Sequence, residues 1–255
     1  MADLSGTAEF RPAADARGIG VVAPFDFALD DEYLRWLGPG VGMYATRTPY
    51  LDVPVSIEMA EAVSELDDVV VAARALRAAR PAAVVYACTS GSFVAGLAGE
   101  RSLCAAMRDA AAAPAVTTSG ALLDALAALD VRTVAIATPY DEPVTDRLAS
   151  FLAEAGHRVA GRAWLGLRAD IAWVAATSVR RLVEAADTPA ADAVFISCTN
   201  LRTFDLLADL EAELGKPVLS ANQVSLWGAL RAGNLPAAPV AQRLFQVESP
   251  VGERR

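Results

Sequence analysis

Short runs of apolar, often β-branched residues alternate along the chain with longer Ala/Leu-rich stretches whose apolar positions recur every three to four residues. The first kind predicts strands over residues 18–23, 41–46, 83–88, 115–118, 133–138, 158–164, 193–198 and 218–220. The second predicts helices over 57–79, 93–112, 120–129, 143–155, 172–186, 203–214 and 224–232. The strand runs are nearly continuous in apolar character, as expected of parallel strands covered by helices on both faces. This βαβα order predicts an α/β fold. Residues 1–16 and 237–255 are expected to be flexible tails.

Three short patterns occur twice, in the same order. Val21-Val22-Ala23-Pro24-Phe25-Asp26 returns as Ile136-Ala137-Thr138-Pro139-Tyr140-Asp141. Ala83-Val84-Val85-Tyr86-Ala87-Cys88-Thr89-Ser90 returns as Ala193-Val194-Phe195-Ile196-Ser197-Cys198-Thr199-Asn200. Pro114-Ala115-Val116-Thr117 returns as Pro217-Val218-Leu219-Ser220. The offsets, from Pro24 to Pro139, Cys88 to Cys198 and Pro114 to Pro217, are 115, 110 and 103 residues. The expectation is two similar lobes, 17–130 and 131–235, each a mainly parallel sheet flanked by helices. A pseudo-twofold axis would relate them, with the active site between.

Composition narrows the function. The chain has 255 residues, 54% hydrophobic, enough for a substantial core. Lys and Arg total 22 against 31 Asp and Glu, a net charge of −9, which argues against a nucleic-acid partner. The longest uncharged run, 81–99, holds Pro, Gly, Thr and Ser and reads as strand, turn and helix start, so no membrane span is expected. The polar start has no apolar leader core, and the three cysteines have no CxxC spacing. Both features predict a cytoplasmic protein with free thiols. With His157 the only histidine and Lys216 the only lysine, a multi-histidine metal site is excluded, and any Schiff base must use Lys216.

The candidate chemistry lies at the strand ends, where open parallel sheets bind ligands. Cys88 and Cys198 each end a strand and precede a polar turn. In facing lobes the two thiols would approach one ligand from opposite sides, which suits proton transfer at carbon or thiolate addition to an activated double bond. Thr89-Ser90-Gly91 and Thr199-Asn200 offer neutral donors that can hold a carboxylate or an enolate-like charge. Tyr140, on a loop at a strand end, is open to ligand contact. Elsewhere the residues read as scaffold. Cys104 is expected to pack in a helix, His157 to lie in a surface turn, Lys216 to be solvated, and Trp164, Trp173 and Trp227 to be core. Gly18-Ile19-Gly20 lacks the further spaced glycine of a dinucleotide fingerprint.

Cys88-Thr89-Ser90-Gly91-Ser92, Thr138-Pro139-Tyr140 and Ser197-Cys198-Thr199-Asn200-Leu201-Arg202 resemble the aspartate/glutamate racemase superfamily. The likeness is nearest to its maleate cis–trans isomerase and arylmalonate decarboxylase branch, and extends to the ectoine-utilisation proteins. It runs over 18–233. It implies a cofactor-independent enzyme that needs no metal and acts on a small carboxylic acid. Cys88 would add as thiolate to a substrate double bond, and Cys198 would supply or remove the proton. In similar racemases both thiols act as acid and base; in similar decarboxylases the first position is not cysteine and the second alone protonates the carbanion. Thr89, Ser90 and Tyr140 match one carboxylate cradle of the family, and Thr199 and Asn200 the second.

The chain departs from the isomerase pattern at Pro24-Phe25-Asp26-Phe27, where isomerases carry Pro-Ser-Ser-Asn-Thr, and at Asp170, near an expected Asn. Pro24, Phe25 and Asp26 are therefore expected to line the site, making it more apolar and opposing a second substrate carboxylate. The reading is an isomerase of the maleate type. A racemase or decarboxylase of a substituted malonate or amino acid is the alternative, and a non-catalytic small-acid binding protein is the alternative of another class. A homodimer is the expected assembly.

Overall fold

The eight strands form two separate parallel sheets of four, in a computed structural model that describes residues 18–247. In the first sheet, β1 (Gly18–Ala23), β2 (Gly42–Arg47), β3 (Ala83–Tyr86) and β4 (Ala115–Thr117) lie in the order β2-β1-β3-β4. In the second, β5 (Thr133–Thr138), β6 (Arg158–Trp164), β7 (Ala193–Ile196) and β8 (Val218–Ser220) lie in the order β6-β5-β7-β8. Reading each half from its own start, the order is the same. The register also matches: Val21 pairs with Val85 in the first sheet, and Ile136 with Phe195 in the second. The central strands are buried along their whole length, which is why their sequences are continuously apolar. The edge strands β2 and β6 are partly exposed.

The helices are α1 (Asp30–Leu34), α2 (Ile57–Val63), α3 (Leu66–Leu76), α4 (Thr89–Phe93), α5 (Gly96–Ala111), α6 (Thr118–Ala128), α7 (Glu142–Glu154), α8 (Ala176–Ala186), α9 (Phe204–Leu214), α10 (Ala221–Ala232) and α11 (Arg243–Gln246). Two follow their strands without a loop, and each has a side-chain cap. The Thr117 hydroxyl accepts from Gly120 N at 2.9 Å and the Ser220 hydroxyl from Gln223 N at 3.2 Å. These caps are the last residues of the third repeated pattern and contribute about 1 kcal/mol each. In the first sheet, α3 packs on β1 and β2, and α5 on β3 and β4. In the second, α8 packs on β5, β6 and β7, α7 on β6 and α9 on β8.

The two halves interlock. Helix α10, from the second half of the sequence, packs on α6, β3 and β4 of the first. Gly228 permits this approach, since a Cβ there would lie 2.8 Å from that of Ala121. The Thr118 and Ser225 hydroxyls meet across the contact at 2.7 Å.

Several expectations change. The span 57–79 breaks at Ser64, and its end is a 3-10 turn, Arg77–Ala79. Lys216 is not solvated: its ammonium donates to Asp187 at 3.0 Å and to the Thr188 and Ala191 carbonyls at 2.9 and 2.8 Å. Trp227 is core, but Trp164 and Trp173 are exposed, Trp173 by 83%. Residues 237–247, expected to be tail, instead pack on the body: Leu244 is fully buried and Gln242 accepts from the Trp36 indole at 2.8 Å. The expected tail segments 1–16 and 248–255 lie outside the described residues. Among the described residues no helix is long and apolar enough to cross a membrane.

Candidate active site

The two repeated cysteines follow the central strands β3 and β7, two residues past each strand's end. In both, the backbone leaves the sheet before the cysteine, but then takes different paths. Cys88 is the N-cap residue of α4 at φ −140°, extended backbone that any residue adopts. Cys198 has φ 84°, in the left-handed region that favours glycine, and leads into an open turn.

Around Cys88 the packing is close. The thiol lies 3.9 Å from the Ser90 hydroxyl. Tyr86, two residues back, is fully buried and donates to the Val63 carbonyl at 2.7 Å. Gly91 completes the fit: a Cβ there would sit 2.5 Å from the Tyr86 hydroxyl and 3.2 Å from the Cys88 sulfur. The Thr89 hydroxyl is buried and has no hydrogen-bond partner among the described residues. Around Cys198, the Asn200 backbone N–H donates to the sulfur at 3.4 Å. Tyr140 is buried, and its hydroxyl accepts from Ser197 at 3.5 Å.

The segment 24–28 and the Cys198 turn meet across the halves. Asn200 Nδ2 donates to the Asp26 carbonyl at 3.0 Å and its carboxylate at 3.3 Å, while Asn200 Oδ1 accepts from Ala28 N at 2.9 Å. The Thr199 hydroxyl donates to the Ala87 carbonyl, next to Cys88, at 3.0 Å. Thr199 thus joins the two cysteine loops, and Asn200 joins the Cys198 turn to the segment 26–28. Pro24 is buried, with its carbonyl accepting from Phe27 N at 3.1 Å. Phe25 is half-buried and stacks edge-on against exposed Tyr50, with ring centres 5.4 Å apart. The segment holding Tyr50 reaches the other half through Val55 N, which donates to the Arg168 carbonyl at 2.8 Å.

Electrostatics ties the two thiols and Asp26 together. Burial pushes Cys88 up to about 11; the Gly91 N–H opposes the rise and the Asp26 charge adds to it. Burial pushes Cys198 up to about 12, against the Asn200 N–H and reinforced by the charges of Asp26 and Cys88. Asp26 is itself raised by burial, which outweighs its own backbone N–H and the Asn200 amide. Burial therefore favours the neutral form of both thiols at physiological pH. Cys104 stands apart, partly exposed on α5 and donating to the Ala115 carbonyl at 3.2 Å. His157 is half-buried in the turn after α7, and Asp170 is exposed. Among the described residues no group of three or more His, Cys, Asp or Glu side chains is placed to hold a metal ion.

Two residues of the site were not singled out in the sequence. Tyr86 could have been, since it lies two positions before Cys88, and strand side chains at that spacing share a face. Tyr50 left no periodic signal, and Gly91 was expected as a donor rather than for the space it leaves beside Tyr86 and Cys88.

Residues 55–245 match the arylmalonate decarboxylase family. A curated arylmalonate decarboxylase from Bordetella bronchiseptica is 39% identical over 189 residues, 71% of this chain and 78% of the relative. The solved structure of a cysteine-exchanged variant of arylmalonate decarboxylase, in liganded form, superposes with a TM-score of 0.80 at 34% identity, covering 90% of this chain and 98% of that one. A Nocardia farcinica maleate cis–trans isomerase, solved as a Cys-to-Ser variant with a covalently bound succinylcysteine intermediate, superposes with a TM-score of 0.79 at 25% identity, covering 92% of this chain and all of that one. With the family matched over most of the sequence and the two-sheet architecture shared, this chain belongs to the arylmalonate decarboxylase family.

Proposed function

We propose that this protein is a cofactor-independent enzyme that uses Cys88 and Cys198 to isomerise a small carboxylic acid about a carbon–carbon double bond. The observation that carries the reading is the pair of thiols beyond equivalent central strands, with the Thr199 hydroxyl bonded across to Ala87 beside Cys88 and the Cys88 charge acting on Cys198. The solved isomerase holds a succinyl group on cysteine, the adduct such a pair would form.

In this reading the minor deprotonated form of Cys88, its proton released to solvent, adds as thiolate to one alkene carbon, and the π electrons move toward the carboxylate as an enediolate. The Cys198 S–H then delivers its proton to the other carbon. The former double bond is now single and rotates. The Cys198 thiolate takes back a proton from that carbon, the double bond re-forms and the Cys88 thiolate leaves. A thiol raised to about 12 suits the proton-donating step, because it stays protonated until a carbanion is present. The unpartnered Thr89 hydroxyl is free to donate to the substrate carboxylate, with Ser90 beside Cys88 and Tyr140 beside Ser197 as further polar groups of the site. Asp26 opposes a second carboxylate near it, and Phe25 with Tyr50 offers an apolar wall. The favoured substrate is therefore an acid with one carboxylate and an apolar group.

Decarboxylation of a substituted malonate is the second reading, favoured by the 39% identical relative. Loss of carbon dioxide would leave an enediolate that Cys198 alone protonates. Proton NMR in D2O with maleate, substituted acrylates and phenylmalonate separates the two. Isomerisation or exchange at carbon supports the first reading, and release of a singly deuterated monoacid the second. Cys88→Ala is expected to lower isomerisation at least about 10³-fold with the fold intact. Near-wild-type turnover in that variant excludes the covalent route. The same reading carries a cytoplasmic homodimer.

A further inference from the structure

Cys198 carries its thiol on a left-handed backbone. A residue with a side chain stays in that region only where its surroundings hold it. Within the turn, Leu201 N donates to the Cys198 carbonyl at 3.2 Å. The far end of the turn is held from the other half of the molecule.

Helix α1 grips that end at three places. On the outside, Arg202 donates to both carboxylate oxygens of Asp31 at 2.8 and 3.2 Å, and Arg35 to both of Asp205 at 2.7 and 2.6 Å. Between these pairs lies Glu32, fully buried. Its two oxygens accept from Thr203 N at 3.0 and 3.1 Å. The same carboxylate accepts from the Thr203 hydroxyl and from Asn222 Nδ2, each at 3.0 Å. Asn222 Nδ2 also donates to the Leu201 carbonyl at 3.2 Å.

Burying a carboxylate is costly unless its oxygens are fully used, and an apolar residue would often be the more stable choice. Among the described residues, the cation within ion-pair distance of Glu32 is Arg202, at 4.0 Å. Only a carboxylate offers acceptors on both oxygens here. Glutamine would turn an amide N–H₂ against the Thr203 N–H or against the Asn222 donor.

We propose that Glu32 is a positioning residue, fixing from α1 the turn Cys198–Thr203 and so the direction of the Cys198 thiol in the site. The reading of Cys198 as catalytic gives this its consequence, but the geometry can be read without turnover.

The test is timed alkylation with iodoacetamide between pH 7 and 10, mapped by mass at Cys88 and Cys198 separately, with melting followed by circular dichroism. In Glu32→Gln the Cys198 rate at fixed pH is expected to change at least about tenfold and its pH profile to move, while Cys88 stays within about twofold. Asp31→Asn, which removes only a surface pair, leaves both rates unchanged. If Glu32→Gln does not fold, Thr203→Val removes one of the donors to Glu32 and carries the same expectation. Equal changes at both thiols, or none at Cys198 in the folded variant, overturn the positioning role. Full turnover by Cys198→Ser would instead overturn the catalytic reading, and leave the labelling result to stand on its own.

Discussion

At the scale of single residues, Asp26 and Gly91 control the two thiols in different ways. The Asp26 charge raises both, so removing it lowers both and increases the thiolate present at a given pH. Asp26→Asn is expected to speed iodoacetamide labelling of Cys88 and Cys198 together at pH 8–9, without changing Cys104, whose rise comes from burial and from Glu100. The same substitution should raise the activity ratio for a dicarboxylate over a monocarboxylate. If neither labelling nor the ratio moves, Asp26 does not act on the site. Gly91 acts by shape. Gly91→Ala would press on the Tyr86 hydroxyl and the Cys88 sulfur. Overpacking of this kind costs about 1–3 kcal/mol. A lower melting temperature with a larger fractional loss of turnover than of folded protein is the expected result, measured on the same sample.

At the scale of elements, how much was legible depended on length and period. Strands β1, β5 and β8 begin and end where the apolar runs do, because a strand buried on both faces writes its whole length in apolar residues, and the partly exposed edge strand β6 also keeps its expected bounds. Strands β3 and β7 stop two residues short, since Ala87-Cys88 and Ser197-Cys198 are apolar or small but already outside the ladder. The five-residue helices α1 and α4 are too short to display a helical period, so the sequence placed no helix at Asp30–Leu34 and began the next one late. With α1 went Glu32, whose role depends on partners some 170 and 190 positions away and leaves no local trace. Asn200 was legible as a site residue from its repeat position, but not as the clamp on Asp26 and Ala28. Where α6 and α10 cross, spacing is set by small residues. Gly228→Leu is expected to lower stability by about 1–3 kcal/mol, read as a lower urea midpoint with an unchanged slope. An unchanged midpoint would mean that the helices can separate freely.

At the scale of the molecule, buried carboxylates set the pH response. Burial raises Glu32, Glu100 and Glu211 above their ordinary values. A carboxyl raised on folding binds its proton more tightly in the folded state. Its contribution is therefore complete below the unfolded value, about 4.3, and is lost as pH rises through the folded value. Exposed Asp31, Asp192 and Asp205 are lowered and act in the opposite sense, but solvent screens them. Glu100→Gln keeps an acceptor for the Thr117 hydroxyl, which now lies 2.6 Å from the carboxylate, and removes the buried charge. Its melting temperature should exceed that of the wild type at pH 8, with the advantage shrinking toward pH 4. A constant difference across that range would show that Glu100 is not titrating.

The crossing of α10 over α6 bears on ancestry and on synthesis. The two helices follow equivalent strands of the repeat, so their contact is self-complementary in the way of a twofold dimer interface. A half-length ancestor could have buried that surface against a second copy of itself, and fusion of two copies would then have made the association permanent. The same crossing delays the cover of β3 and β4 until residue 221 and beyond has left the ribosome, so the nascent first half emerges with apolar surface waiting for a helix about a hundred residues downstream. Fragments 18–130 and 131–247, made separately, should each aggregate, and should form a soluble pair when co-expressed. A soluble, monomeric first fragment would mean that its sheet does not need the borrowed helix.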